Sequence, residues 1–173
     1  MVVAESGDSL FGAIDIKVGN DGLYLAQGFM PRWALQCRAR LVLRSVLGSG
    51  PLILTGDGGF QMTGAEIAHA RRYGLNPIII LLNNGGWGIF RPIAKRQNLL
   101  ALPSWHYAEL ARLWGGQGYK VKTAAELRGA LEAASGSSQF AIIEVSIGPR
   151  DLSPITMKYI SASAKKAQMN SRT

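Results

Sequence analysis

Short apolar runs alternate along this chain with stretches that are apolar only every third or fourth position. PLILT (51–55), PIIILL (77–82) and FAIIEVSI (140–147) are continuous, β-branched and bounded by turn residues. Such runs fit strands buried on both faces of a parallel sheet. Residues 1–5 and 118–122 are shorter candidates. Between them lie helical signals. Residues 32–47 are rich in Leu, Ala and Arg and hold no Gly or Pro. Thr63 to Tyr73 reads as helix with Gly74 as its stop. Ser104 to Trp114 reads as helix ended by Gly115 and Gly116, and Thr123-Ala-Ala-Glu126 is a capping box opening a helix to about Ala134. Alternation of this kind predicts an α/β fold: a mostly parallel sheet with helices on both faces. The expected layout is one domain over residues 1–160. Beyond Asp151 the chain turns polar and basic, which predicts loose packing, with residues 161–173 as a tail.

Composition narrows the class. With 47% hydrophobic and 17% charged residues, the 173-residue chain suits a folded globular domain and not a disordered one. No apolar run reaches the roughly 18 residues a membrane span needs. MVVAE (1–5) leads directly into the polar SGDS (6–9), unlike a secretory signal. The single Cys37 excludes an internal disulfide framework and fits a reducing compartment, so a cytoplasmic location is expected. A net charge of +8 would suit nucleic acid, but no motif or aromatic interleaving supports that partner.

Two strand ends carry unusual chemistry. LILTGDGGFQ (52–61) sets a lone carboxylate, Asp57, between Gly56 and Gly58, and LLNNGGWGIF (81–90) ends the next strand. One crossover helix would join them, so in a parallel sheet both ends lie on one edge, where ligands bind. A carboxylate, an amide oxygen and a loop carbonyl are hard ligands suited to Mg²⁺. The glycines expose N–H groups that favour a phosphate. One Mg²⁺ shared by Asp57 and Asn84 requires their side-chain oxygens within about 5 Å, given metal–oxygen distances of about 2.1 Å. GDGG alone, or NNGG alone, would be only a turn; the conjunction is what carries weight.

The GDG, followed 27 positions after its Asp by the second Asn of NN, resembles the thiamin diphosphate motif of thiamin-dependent enzymes. ESGDSLFGAID, GDGGFQMTGAEIAHARRYGLNPIIILLNN and AELARLWGGQGYKVKTAAELRGALEAA extend the likeness to the C-terminal cofactor domain of 2-oxo acid decarboxylases, chiefly the indolepyruvate and phenylpyruvate type. It covers roughly residues 1–28 and 50–160. The resemblance implies Mg²⁺ held by the Asp57 and Asn84 side chains and the Gly86 carbonyl. It implies diphosphate contacts from Asp8, Ser9, Gly56, Gly58 and Gly59, and from the backbone of Trp87, Gly88 and Ile89. It also implies a homo-oligomer in the full-length protein, where an N-terminal pyrimidine-binding domain of a neighbouring subunit supplies the activating Glu. That domain is not in this chain. His69, among Arg and Ala, reads as a surface residue, and neither it nor His106 is given a catalytic role. No catalytic residue is assigned within the chain, which is expected to be incomplete as an enzyme. An acetolactate-synthase-like or benzaldehyde-lyase-like carboligase domain shares the pattern. A non-catalytic phosphate-binding or scaffold domain is the reading from another class.

Two departures stand out. Pyruvate-type members carry Glu six residues after the metal-binding Asn; here that residue is Phe90, which favours an aromatic 2-oxo acid. After AQGF (26–29) the family pattern resembles Y-A-S-M-G-F-A-V-P-G-A-L-G-A-Q, whereas this chain reads FMPRWALQCRARLVLR (29–44). Codons shifted by one base reconcile the two: Met30-Pro31 then gives an obligatory Ala and Trp33-Ala34 an obligatory Gly. Residues 30 to about 48 therefore read as a frame-shifted stretch. Arg32, Arg38, Arg40 and Arg44 then have a coding origin and need no nucleic-acid partner, and Cys37, in the same stretch, implies no redox role. If this stretch forms a helix, its apolar face was not selected to match the sheet, so it should exchange amide hydrogens faster than Thr63–Tyr73.

Overall fold

The computed structural model describes residues 1–20, 22–26 and 50–170, with side chains beyond position 162 left aside. The stretch read as frame-shifted, with the helix expected over 32–47 and Cys37, lies outside the described residues.

Six parallel strands form one sheet: β1 (Val2–Ala4), β2 (Tyr24–Ala26), β3 (Leu52–Gly56), β4 (Ile78–Asn83), β5 (Gln117–Val121) and β6 (Ala141–Ser146). Their order is β2-β1-β3-β4-β6-β5. The central strands are apolar throughout because both faces are covered. Val3, Ile53, Ile79, Leu81 and Ile142 pack on one side with Phe60, Ile67, Tyr107 and Ala111. Val2, Ala4, Leu54 and Ile80 pack on the other with Ala13. The pleat alternates, and each face finds its own layer.

The helices are α1 (Asp8–Ala13), α2 (Asp57–Thr63), α3 (Tyr107–Leu113), α4 (Ala124–Ser135) and α5 (Pro154–Asn170). The capping box is formed: Thr123 Oγ1 accepts from Glu126 N at 3.2 Å, and Glu126 Oε2 accepts from Thr123 N at 3.2 Å.

The helix expected from Thr63 begins six residues earlier, at Asp57, directly on the end of β3. It continues as 3₁₀ turns over Gly64–His69 and Arg71–Tyr73. Gly58 and Gly59 read as a turn in sequence, but here they are helical glycines kept small by close neighbours. The expected stop stands: Gly74 is left-handed, at φ 61°.

From Asp151 to Tyr159 the chain is anchored, against the loose packing expected. Ser153 Oγ accepts from Thr156 N at 3.3 Å, and Pro154 opens α5. Ser followed by Pro at the first helical position is itself a helix-start signal. Asp8 anchors the segment by accepting from Ser153 N at 2.9 Å. Thr156 is buried, and Tyr159 stacks on Phe11 with centroids 6.1 Å apart. The helix runs unbroken past residue 160.

Candidate functional site

Sheet order places the site. From β1 the chain moves to β2 on one side, and β3 then pairs with the opposite edge of β1. Loops leaving β1 and β3 therefore diverge, and such a reversal opens a crevice at the carboxyl ends of the strands. A cavity of about 390 Å³ lies there, walled by the segments after β1 (Glu5–Ser9), β3 (Gly56–Gly59) and β4 (Asn84–Phe90). Leu82, Phe11, Ile147 and Tyr159 complete it. Asp8, Ser9, Gly56, Asp57, Gly58, Gly59, Asn84, Gly86, Trp87, Gly88 and Ile89, singled out in sequence, all line this one cavity.

Asp57 is the first residue of α2 and is 2% exposed. Its Oδ1 accepts from Gly58 N at 2.9 Å, and its Oδ2 accepts from Gly86 N at 2.8 Å. Burial pushes its carboxyl above the ordinary range, while N–H groups of Gly86, Gly58 and Gly85 pull it back. No cationic side chain pairs with it among the described residues. Asn84 Oδ1 accepts from the same Gly86 N at 3.1 Å. One backbone amide thus gathers oxygens from the ends of β3 and β4. Gly86 in turn is fixed to Leu100–Leu102 by a bridge to Ala101 and by bonds from Trp87 N to Leu100 O and Leu102 N to Gly85 O.

Glycine is needed where the walls touch. A Cβ on Gly58 would lie 2.8 Å from the six-membered ring of Trp87. A Cβ on Gly59 would strike the Glu5 carboxylate, and one on Gly88 the Asn84 amide. The cradle is therefore lined by bare backbone with the Trp87 ring over it.

The donor set fits a small hard cation. Among the described residues no group of three or more His, Cys, Asp and Glu could hold a metal. One carboxylate, one amide oxygen and one backbone carbonyl suit Mg²⁺, which also takes phosphate and water. A cation here would neutralise the charge that burial now opposes.

Three features escaped sequence reasoning. Glu5 is 4% exposed at the cavity floor and receives a hydrogen bond from Thr55 Oγ1. Nothing local distinguishes it from an ordinary strand end. Glu144, 2% exposed on β6, lay unremarked within FAIIEVSI. Tyr159 arrives on the overlooked helix α5, which the Ser153-Pro154 signal would have revealed. His69 and His106 are exposed and outside the cavity. Phe90 does line it.

The family described as "Thiamine pyrophosphate enzyme, C-terminal TPP binding domain" matches residues 43–145. Indole-3-pyruvate decarboxylase of Azospirillum brasilense is 36% identical over 163 residues, covering 92% of this chain and 29% of that protein. A probable acetolactate synthase of Mycobacterium bovis is 30% identical over 135 residues, covering 75% of this chain and 24% of that protein. The chain thus spans less than a third of these relatives. Among solved structures, benzoylformate decarboxylase from Polynucleobacter necessarius superposes with a TM-score of 0.72 at 20% identity, over 89% of this chain and 31% of that one. That likeness establishes the fold.

Proposed function

The chain belongs to the thiamine pyrophosphate enzymes, as their C-terminal TPP binding domain, and from that premise we propose that it holds the diphosphate of thiamine pyrophosphate through Mg²⁺ for decarboxylation of an aromatic 2-oxo acid. The observation that carries the reading is the meeting of Asp57 Oδ2 and Asn84 Oδ1 on one Gly86 amide. It sets a buried carboxylate beside a neutral oxygen ligand at the sheet's switch point, under a glycine cradle.

Asp57, Asn84 and the Gly86 carbonyl would hold the cation. Asp8 and Ser9, Gly56, Gly58 and Gly59, and the backbone of Trp87, Gly88 and Ile89 would surround the diphosphate. When bound, the cofactor supplies an electron sink for the bond that breaks as CO₂ leaves. This chain's own residues anchor and orient it and exclude water. Phe90, Phe11 and Tyr159 give the cavity an aromatic wall, which supports an indolepyruvate- or phenylpyruvate-like substrate. The wider assembly proposed is a cytoplasmic homo-oligomer whose neighbouring subunit grips the pyrimidine end. The similarity to an acetolactate synthase favours one second reading, a carboligase sharing this half-site.

Isothermal titration of the chain with thiamine pyrophosphate, with and without Mg²⁺, tests the half-site. Binding should require Mg²⁺, vanish in Asp57→Ala and survive His69→Ala. Binding that ignores Mg²⁺ or the loss of Asp57 would refute it. Product analysis of the full-length protein with phenylpyruvate and pyruvate separates decarboxylation from carboligation.

A further inference from the structure

We propose that half-buried Asn83 and buried Glu144 form a positioning pair that sets the angle at which the loop after β4 presents Asn84 and Gly86 to the cation. The inference rests on the Mg²⁺ reading of that loop and extends it to two residues that do not line the cavity.

Glu144 lies on β6, opposite Leu81 of β4 and Lys120 of β5. Among apolar neighbours, an acid 2% exposed demands partners. It has three. Asn83 Nδ2 donates to Oε1 at 2.9 Å, and Ala108 N, in the first turn of α3, donates to Oε2 at 3.4 Å. Lys120 Nζ, on a side chain more than half exposed, reaches Oε1 at 3.7 Å. Strand pairing alone does not call for Glu here, since a β-branched residue suits the position.

Asn83 uses both ends of its amide. While Nδ2 is tied to Glu144, Oδ1 accepts from Gly85 N at 3.2 Å. That bond closes a local turn of the kind Asn forms with the residue two ahead. Gly85 is left-handed within it, at φ 71°. The turn then delivers Gly86 N to Asp57 and Asn84. The route from β6 to the cation ligands is therefore short: Glu144 bonds Asn83, Asn83 bonds Gly85, and the next residue, Gly86, bonds the two ligand oxygens. Groups that hold the ligands of a metal typically change its affinity 10- to 100-fold when removed.

Asn83→Ala removes both links without adding charge. The expected result is a Mg²⁺ requirement for thiamine pyrophosphate binding raised about 10- to 100-fold, alongside the lower thermal midpoint that loss of a hydrogen bond to buried Glu144 brings. Glu144→Gln keeps an acceptor for Asn83 Nδ2 and should raise the requirement less. In the cation-free chain, amide hydrogen exchange at Gly85 and Gly86 should accelerate in Asn83→Ala while β3 and β4 stay protected. A lowered thermal midpoint with an unchanged Mg²⁺ requirement would reduce the pair to structural support and overturn the proposal. Unchanged exchange at Gly85 and Gly86 would overturn it as well. The exchange arm needs no cofactor, so it decides this inference even where the parent chain fails to bind thiamine pyrophosphate, an outcome that would refute the function proposed above instead.

Discussion

Asp57 is an acid that no cationic side chain pairs with among the described residues. Burial raises its pKa more than the surrounding N–H groups lower it. A raised folded pKa means stability that is full below the unfolded value, near 3.9, and is lost as pH climbs through the folded value. Without Mg²⁺, the parent chain should therefore lose stability relative to Asp57→Asn as pH rises from about 4 toward 7. Thermal melts of both proteins across that range measure it, and the opposite slope would show that the backbone donors outweigh burial. Gly58 offers a steric test. A methyl group there meets the Trp87 ring at 2.8 Å, so Gly58→Ala should cost about 1–3 kcal/mol in urea unfolding and weaken cofactor binding. Asp57 and Asn84 were legible because acid and amide at consecutive strand ends have a joint meaning. Glu5 was not: its burial comes from Thr55 and Gly59, fifty or more positions away, and no local pattern encodes that.

Elements whose signals are local read correctly. The Thr123–Glu126 capping box is one, with both reciprocal bonds in place and Glu126 also accepting from Lys122 N at 2.7 Å. Those backbone donors hold the Glu126 carboxyl below its usual value. Its contribution to α4 is thus present above the unfolded pKa, near 4.3, and disappears as pH falls through the folded value. Glu126→Ala should lower the thermal midpoint at pH 7 and converge with the parent chain in strong acid. A constant difference across that range would disprove the charged cap. Tyr107 behaves in the opposite sense. Burial and the nearby Asp57 and Glu144 charges push its hydroxyl up to about 12, against the lowering effect of the hydrogen bond from Gln61. Elements whose signals lie in tertiary contact were misread. The helix after β3 started early because Gly58 and Gly59 are packing glycines. Helix α5 was overlooked because its polar composition hid an anchor supplied from α1 by Asp8.

At the scale of the whole molecule, strand existence was legible and strand order was not. Periodicity marks β3, β4 and β6 as buried on both faces, but their neighbours are set by pairing across the sheet. That order creates the crevice, whose walls among the described residues come from the segments at the carboxyl ends of β1, β3 and β4, with α1 and α2, and from α5. The chain covers 29% of the indole-3-pyruvate decarboxylase it resembles. On the proposed reading, the pyrimidine end of the cofactor and the activating acid belong to the remainder. Binding and turnover should therefore separate in this chain. With Mg²⁺, thiamine pyrophosphate at about 100 times its Kd should stabilise the fold by about 2.7 kcal/mol through mass action, seen as a raised thermal midpoint. The same mixture supplied with phenylpyruvate or indolepyruvate should release CO₂ no faster than cofactor and substrate without protein. Stabilisation together with turnover would place a complete catalytic apparatus inside these 173 residues and overturn the division of labour. A flat thermal midpoint would remove the half-site itself.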